Sequence, residues 1–207
     1  MAAPEAGRRG RVSKAGILAA AIQKFHQLGY HGTSMRDIAG EAGVNVASIY
    51  NHYPSKQGLL QKIMVDLLAD ALASTKAALD EAGTEPTSRL RALVHVWVVF
   101  HTRHRAEALI GASEIRSLDD EGRREVVALR DEQEAMFRSV VREGVRAGVF
   151  TTPWPEDAAR AIISMGVTIA SWYRPDGRRT PEEMAQRYVE LALGTVRGPG
   201  VESAEVA

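Results

Sequence analysis

Apolar side chains recur along this chain at three- and four-residue spacing, and nowhere do they alternate as a half-buried strand requires. The pattern predicts helices throughout. Ser13 is placed to cap a first helix through Leu28, with Ile17, Ala21, Phe25 and Leu28 on its inner face and Gly29 as its stop. Thr33 or Ser34 caps a second helix, whose inner face is Met35, Ile38, Ala39 and Ala42, and Asp37 suits its N-terminal turn. Gly43 marks a turn that calls for positive φ. The short helix that follows turns Val46, Ile49 and Tyr50 inward and leaves Asn45, Ser48, Asn51 and His52 outside.

Ser55 caps a fourth helix, with Leu59, Leu60, Ile63, Met64, Leu67 and Leu68 within it. Pro86 precedes a fifth, which carries Leu90, Leu93, Val94, Trp97 and Phe100 and extends to His101, His104 and Arg105. Asp119, Asp120 and Gly122 precede a strongly charged helix to about Gly148, in which Glu134 and Arg138 form a favourable four-residue pair on a solvated face. Pro153 and Pro155 interrupt the chain. Residues 157–173 form a helix apolar on nearly every side, ended by Pro175. Pro181 starts the last helix, with Met184, Tyr188, Leu191 and Thr195 on one stripe. The tails, about 1–10 and 198–207, read as disordered.

Residues 35–54 have the spacing of a helix-turn-helix. A short second helix with a small, polar outer face suits a major groove, where base edges are read by hydrogen bonds. A plain helical hairpin with a solvated face gives the same pattern, so these residues alone leave both readings open. Charge bears on the choice. Residues 1–56 hold seven basic side chains (Arg8, Arg9, Arg11, Lys14, Lys24, Arg36, Lys56) against three acids (Glu5, Asp37, Glu41), although the whole chain is neutral. Attraction to phosphate is thus local to the end that carries the motif. Arg8, Arg9 and Arg11 read as an arm for phosphate or minor groove, or equally as a solvated tail.

Composition narrows the remaining classes. The absence of cysteine excludes a disulfide framework, cysteine-ligated zinc and thiol catalysis. The longest apolar run, 161–173, is too short to span a bilayer, and the N-terminus has no apolar signal-peptide core, so the expectation is a soluble cytoplasmic protein with no membrane partner. His101 and His104 share a helix face, but His95 lies on another and no third metal ligand has diagnostic spacing. There is no phosphate loop after a strand and no nucleophile elbow. The chain reads as a binding protein, with no enzyme activity, no metal and no cofactor.

Residues 33–60, from Thr33 through Met35-Arg36-Asp37-Ile38-Ala39, Gly43-Val44, Ile49-Tyr50-Asn51-His52-Tyr53 and Ser55-Lys56 to Leu59-Leu60, resemble the signature of the TetR family of bacterial repressors. Two positions depart from it: Asn45 stands where Ser or Thr is usual, and Gln57 where Glu is usual. Asn45 bears on base preference, Gln57 on a local capping interaction. The resemblance implies an all-α homodimer of about nine helices. Residues 11–59 would form a three-helix DNA-binding head, and 60–197 a helical ligand-binding and dimerisation bundle. It implies phosphate contacts from Tyr50 and His52, to which physical arguments add Thr33 and Ser34 at a helix N-terminus and Lys56 as a point charge. Asn45, Val46, Ala47, Ser48 and Asn51 are the base-edge candidates; Asn51 suits adenine, and Val46 or Ala47 a thymine methyl. Two heads would read a near-palindromic double-stranded operator.

The dimer interface is expected on the last two helices. Ile162, Gly166 and Ala170 form a small-residue row on the apolar helix, joined by Met184, Tyr188 and Leu191; the alternative is burial of that helix within one chain. For the ligand, Trp97, His101, Arg105, Glu114, Trp172 and Arg174 mix aromatics with charge as an amphipathic anion would require. Glu-Ile-Arg-Ser-Leu (114–118) and Ser-Trp-Tyr-Arg-Pro (171–175) look like segments of acyl-CoA-responsive members of the family. The effector is therefore expected to be an acyl-CoA or another hydrophobic small molecule. A constitutive DNA binder without effector is the remaining class.

Overall fold

The structure, a computed structural model, describes residues 13–198. Within them lie nine α-helices and no strand: α1 (Lys14–Gly32), α2 (Met35–Ala42), α3 (Val46–Tyr50), α4 (Lys56–Glu81), α5 (Pro86–Arg103), α6 (Arg105–Glu114), α7 (Asp120–Arg146), α8 (Pro155–Trp172) and α9 (Pro181–Val196), with a 3₁₀ turn at Ile115–Ser117 between α6 and α7. Polar side chains cap most N-termini as their spacing predicts. Ser13, Ser55, Asp119 and Thr180 accept from the amides of Gly16, Gly58, Gly122 and Glu183, and Ser34 forms a reciprocal capping box with Asp37. Glu85 caps α5 by accepting from the Thr87 and Ser88 amides, which hold its pKa down to about 2.

Two apolar clusters organise the helices. One gathers Ile17, Ala21, Phe25, Ile38, Ala39 and Ile49 around Leu59, Leu60, Ile63 and Met64 of α4, and takes in Ile110, Leu118 and Val126 from α6 to α7. The other lies among α5, α7, α8 and α9, centred on Leu90, Leu93, Trp97, Phe137, Ile162 and Ile169. The helix α4 belongs to both halves: its first turns complete the N-terminal cluster, and its later turns pack on α5 and α7. The expected boundary between residues 59 and 60 therefore falls inside one continuous helix.

Several sequence expectations change. Gly29 takes φ 74° within α1, but the chain resumes helix to Gly32, and Leu28 is 52% exposed rather than inward. The inward residue at the end of that segment is Tyr30, packed edge-on against Phe25. The fifth helix ends at Arg103. His104 leaves helical geometry, and Arg105 starts a separate helix, α6, that the hydrophobic pattern did not reveal. No side chain caps α6, and its buried residues, Ala108, Ile110 and Gly111, are mostly too small to print a periodic signal. The apolar helix, α8, buries one face within its own chain, while Ala161, Ser164, Thr168 and Ser171 are exposed. Ile162, Gly166 and Ala170 all face inward, as does Met184 of α9. A Cβ at Gly166 would lie 2.2 Å from Cδ1 of Trp97, so this glycine serves the approach of α8 to the α5 indole. Of the expected dimer row, only Tyr188, half-buried, and Leu191, 54% exposed, are accessible to a second copy.

Candidate nucleic-acid interface and ligand cavity

Positioning of α3 begins at Gly43, which takes the left-handed conformation (φ 67°, ψ 28°) while its amide and that of Val44 bond back to the end of α2. Asn45 then caps α3, its Oδ1 accepting from the Ala47 amide at 3.0 Å. This explains Asn where Ser or Thr is usual, since all three cap N-termini. Ile49 is fully buried and fixes the rotation of α3. Ala47, Ser48, Asn51 and His52 consequently face solvent, and Val46 is half-buried. Tyr50 is 49% exposed, so its phenol lies outside and Tyr53 takes the inward place. No acidic side chain occurs between residues 44 and 56.

The other expected phosphate contacts have internal duties. Thr33 is buried, and its hydroxyl donates to the carbonyls of Gly29 (2.8 Å) and Lys24 (3.1 Å). Lys56 donates to the carbonyls of Tyr30 and Thr33, both at 2.7 Å, and lies 4.3 Å from the Tyr30 ring centroid. It closes the C-terminal end of α1 with two of its three N–H groups, which a free point charge on the surface would not do. Ser34 is exposed, but Asp37 already takes its hydroxyl (2.6 Å) and amide (2.7 Å), bonds that lower the Asp37 pKa. The N-terminus of α2 thus carries its own anion. Arg8, Arg9 and Arg11 lie outside the described residues, as does the tail expected at 1–10 and nearly all of that at 198–207.

A cavity of about 380 Å³ lies among α4, α5, α6, α7 and α8. Trp97 forms one wall. Its Nε1 donates to the Ile163 carbonyl (3.2 Å), and its ring meets Phe137 and His101 edge-on. His101, also on the wall, donates through Nδ1 to the Trp97 carbonyl (2.9 Å). Burial pushes its pKa down to about 4, so the ring is neutral at pH 7 and Nε2 is left as an acceptor. Met64, Leu67 and Leu68 of α4 and Ile163 and Val167 of α8 supply apolar lining. Arg130 of α7 is the cation of the cavity, its Nη2 donating to the Gly111 carbonyl at 2.8 Å.

Of the six ligand candidates, only Trp97 and His101 line this space. Arg105 ties α6 to α8 through the Ala170 carbonyl (3.0 Å), and Glu114 accepts from Ser113 and Ser117. Trp172, 46% exposed, stacks against Tyr188 on the outer face, and Arg174 is exposed beyond the end of α8. Arg130 was missed, yet it had a signal. Val126, Arg130, Gln133, Phe137, Val140 and Gly144 continue one three-and-four spacing, and a charge within a buried stripe marks a site. Among the described residues no three His, Asp or Glu side chains form a metal site, and no helix is long and apolar enough to cross a membrane.

Head and cavity are joined physically. Met64 is buried in the N-terminal cluster and also lines the cavity. The His31 imidazole of α1 hydrogen-bonds Ser117 (3.2 Å), whose hydroxyl is bonded to Glu114 at the end of α6, and Gln61 of α4 donates to Glu125 of α7 (2.7 Å).

Comparison with known proteins agrees with this architecture. Residues 17–63 match the family model for bacterial regulatory proteins of the tetR family, and residues 83–196 match that of the tetracyclin repressor-like C-terminal domain. The chain is 28% identical over 182 residues, 87% of its length and 88% of the relative's, to the HTH-type transcriptional repressor KstR2 of Mycolicibacterium smegmatis. A solved bacterial regulatory protein in the tetR family from Rhodococcus RHA1 superposes with a TM-score of 0.84 at 34% identity, covering 91% of this chain and all of that one. AibR, solved in complex with isovaleryl coenzyme A and operator DNA, superposes with a TM-score of 0.78 at 26% identity, covering 88% of this chain and 97% of its own. The chain belongs to the TetR family of bacterial regulatory proteins, which are DNA-binding regulators and not enzymes.

Proposed function

We propose that this protein is a cytoplasmic, ligand-responsive transcriptional repressor that binds a near-palindromic operator as a homodimer and is released by a small acyl effector, an acyl-CoA in the first instance. The observation that carries the reading is the shared helix. The same α4 that completes the core beneath the exposed α3 face also lines the cavity, with Met64 common to both. A ligand releases DNA only by favouring a conformation in which the heads are wrongly placed, and a change at α4 reaches the head directly. Coupling of this kind typically amounts to about 1–3 kcal/mol, or about a 5–150-fold loss of affinity. The repressor description of KstR2 supports the role at DNA, and the AibR complex with isovaleryl coenzyme A and operator DNA supports an acyl-CoA as the class of ligand.

On the DNA side the exposed candidates are Ser34, Asn45, Ala47, Ser48, Tyr50, Asn51 and His52, with Val46 partly accessible. At the dimer, the accessible apolar residues on the outer face of α8 and α9 are Trp172, Tyr188 and Leu191. The test is selection of an operator from genomic fragments, footprinting of both half-sites, and gel shifts with a panel of acyl-CoA thioesters and uncharged hydrophobic compounds. Release by thioesters supports the acyl-CoA reading. Release only by uncharged compounds replaces it with a general hydrophobic effector, and release by none leaves a constitutive binder.

A further inference from the structure

The guanidinium of Arg130 stands apart from the other charges of α7. Arg138 pairs with Glu134 and Glu156, and Arg142 with Glu156. Arg130, itself half-buried, lies in line with the inward stripe, and no carboxylate among the described residues lies within ion-pair distance of it. Its hydrogen bond to the Gly111 carbonyl leaves most of a five-donor fork without a partner among the described residues. Desolvation lowers its pKa in direction, but a guanidinium stays charged. Arg130 is only half-buried, so its free donors are met by water that an anion could displace.

The rest of the cavity defines what that would be. Glu134, on the same wall, is committed to Arg138 and Arg160, and His101 is neutral and offers only an acceptor. The remaining lining is chiefly apolar, from Met64, Leu67, Trp97, Ile163 and Val167. We propose that Arg130 is the anion anchor of the cavity, and that the cavity receives a compact apolar molecule bearing one anionic group. The proposal rests on the ligand-responsive reading and names the chemistry of its ligand. The anion has two sources, the carboxylate of a free acid or a phosphate of a coenzyme A thioester. At about 380 Å³ the space suits the apolar body, and a coenzyme A nucleotide would extend beyond it.

Trp97 reports on the site directly in full-length protein carrying Trp154→Phe and Trp172→Phe, because those two indoles are exposed and do not line the cavity. The probes are octanoate, decanoate and phenylbutanoate, each beside its methyl ester, and decanoyl coenzyme A. The acids should quench Trp97 and bind about tenfold or more tightly than the esters, as expected for a charged hydrogen bond. Arg130→Gln should abolish that preference while leaving ester binding nearly unchanged. Preference for decanoyl coenzyme A with the same Arg130 dependence upholds the anchor and assigns the anion to phosphate. Esters binding as well as acids and thioester, no quenching by any probe, or a preference that survives Arg130→Gln overturns the proposal. The acid-against-ester comparison on unsubstituted Arg130 keeps the test open if Arg130→Gln fails to fold. Gel shifts in parallel separate the two levels: a probe held through Arg130 that leaves the DNA complex intact upholds the anchor and contradicts the effector role.

Discussion

The N-terminal helices and the cavity region use polar side chains in opposite ways. Around α2 and α3 the polar groups mostly find partners close in sequence or in the same small cluster: Ser34 with Asp37, Asn45 with the Ala47 amide, Thr33 with Gly29. Even Lys56 is consumed in closing α1. What remains exposed on α3 is uncommitted and free to meet another molecule. Around the cavity the unspent groups are inside instead. Arg130 and Nε2 of His101 lie against apolar walls made by five different helices. The first region therefore presents its free polar groups on an outer surface, and the second turns them toward a cavity, as a receptor for a small molecule must.

This contrast can be broken at defined points. The largest effect is expected from Gly166→Leu. The new side chain meets the Trp97 indole within the same chain, so destabilisation of about 3 kcal/mol is expected from overpacking. Urea denaturation should show the loss equally at every protein concentration, whereas an interface position would give a concentration-dependent loss. Next is acid sensitivity of the cavity region. The folded pKa of His101, about 4, is depressed below the ordinary 6.5, so its contribution to stability is complete above 6.5. It is lost progressively as pH falls from 6.5 towards 4, by on the order of 3 kcal/mol. Denaturation curves across that window should flatten in His101→Gln relative to the parent protein.

Smaller effects are expected in the N-terminal region. Lys56→Met removes a charged donor from two carbonyls and should cost about 1.5–3 kcal/mol in stability. Salt titration of DNA binding should keep its slope, while a loss of about one unit of slope would return Lys56 to the phosphate contacts. Ser48→Ala should leave the melting temperature within about 1 °C of the parent, since the side chain is exposed and a surface change has little effect on folding. Its effect should appear in DNA binding alone, as altered preference at one base pair per half-site when operator variants are titrated.

The unequal legibility of the two regions has the same origin. Helix caps, the Gly43 turn and the inward Ile38, Ala39 and Ile49 depend on residues a few positions apart, so the helix-turn-helix could be read in sequence order. What spacing does not show there is rotation and competition. Tyr50 turned outward because Tyr53 fills the inward place, and Thr33 and Lys56 were claimed by carbonyls from an earlier helix. The cavity brings together Met64, Trp97, Gly111, Arg130 and Val167, one or more from each of five helices, and no local spacing joins them. Aromatic and basic character at the end of α8 suggests a ligand site at Trp172 and Arg174, but both are exposed where the helix ends. The inward row Ile162, Gly166 and Ala170 was visible as a packing surface. Which helix it packs against was settled by the Trp97 side chain, sixty-odd residues away.

The central claim is that occupancy of the cavity is transmitted through α4 to the DNA-reading face. The most direct measurement is operator affinity, by fluorescence anisotropy, in the presence and absence of a compound already shown to quench Trp97. A loss of about 5–150-fold is predicted, and for an acid probe Arg130→Gln should move it to about tenfold higher concentration. Saturated quenching of Trp97 with unchanged operator affinity would contradict the account.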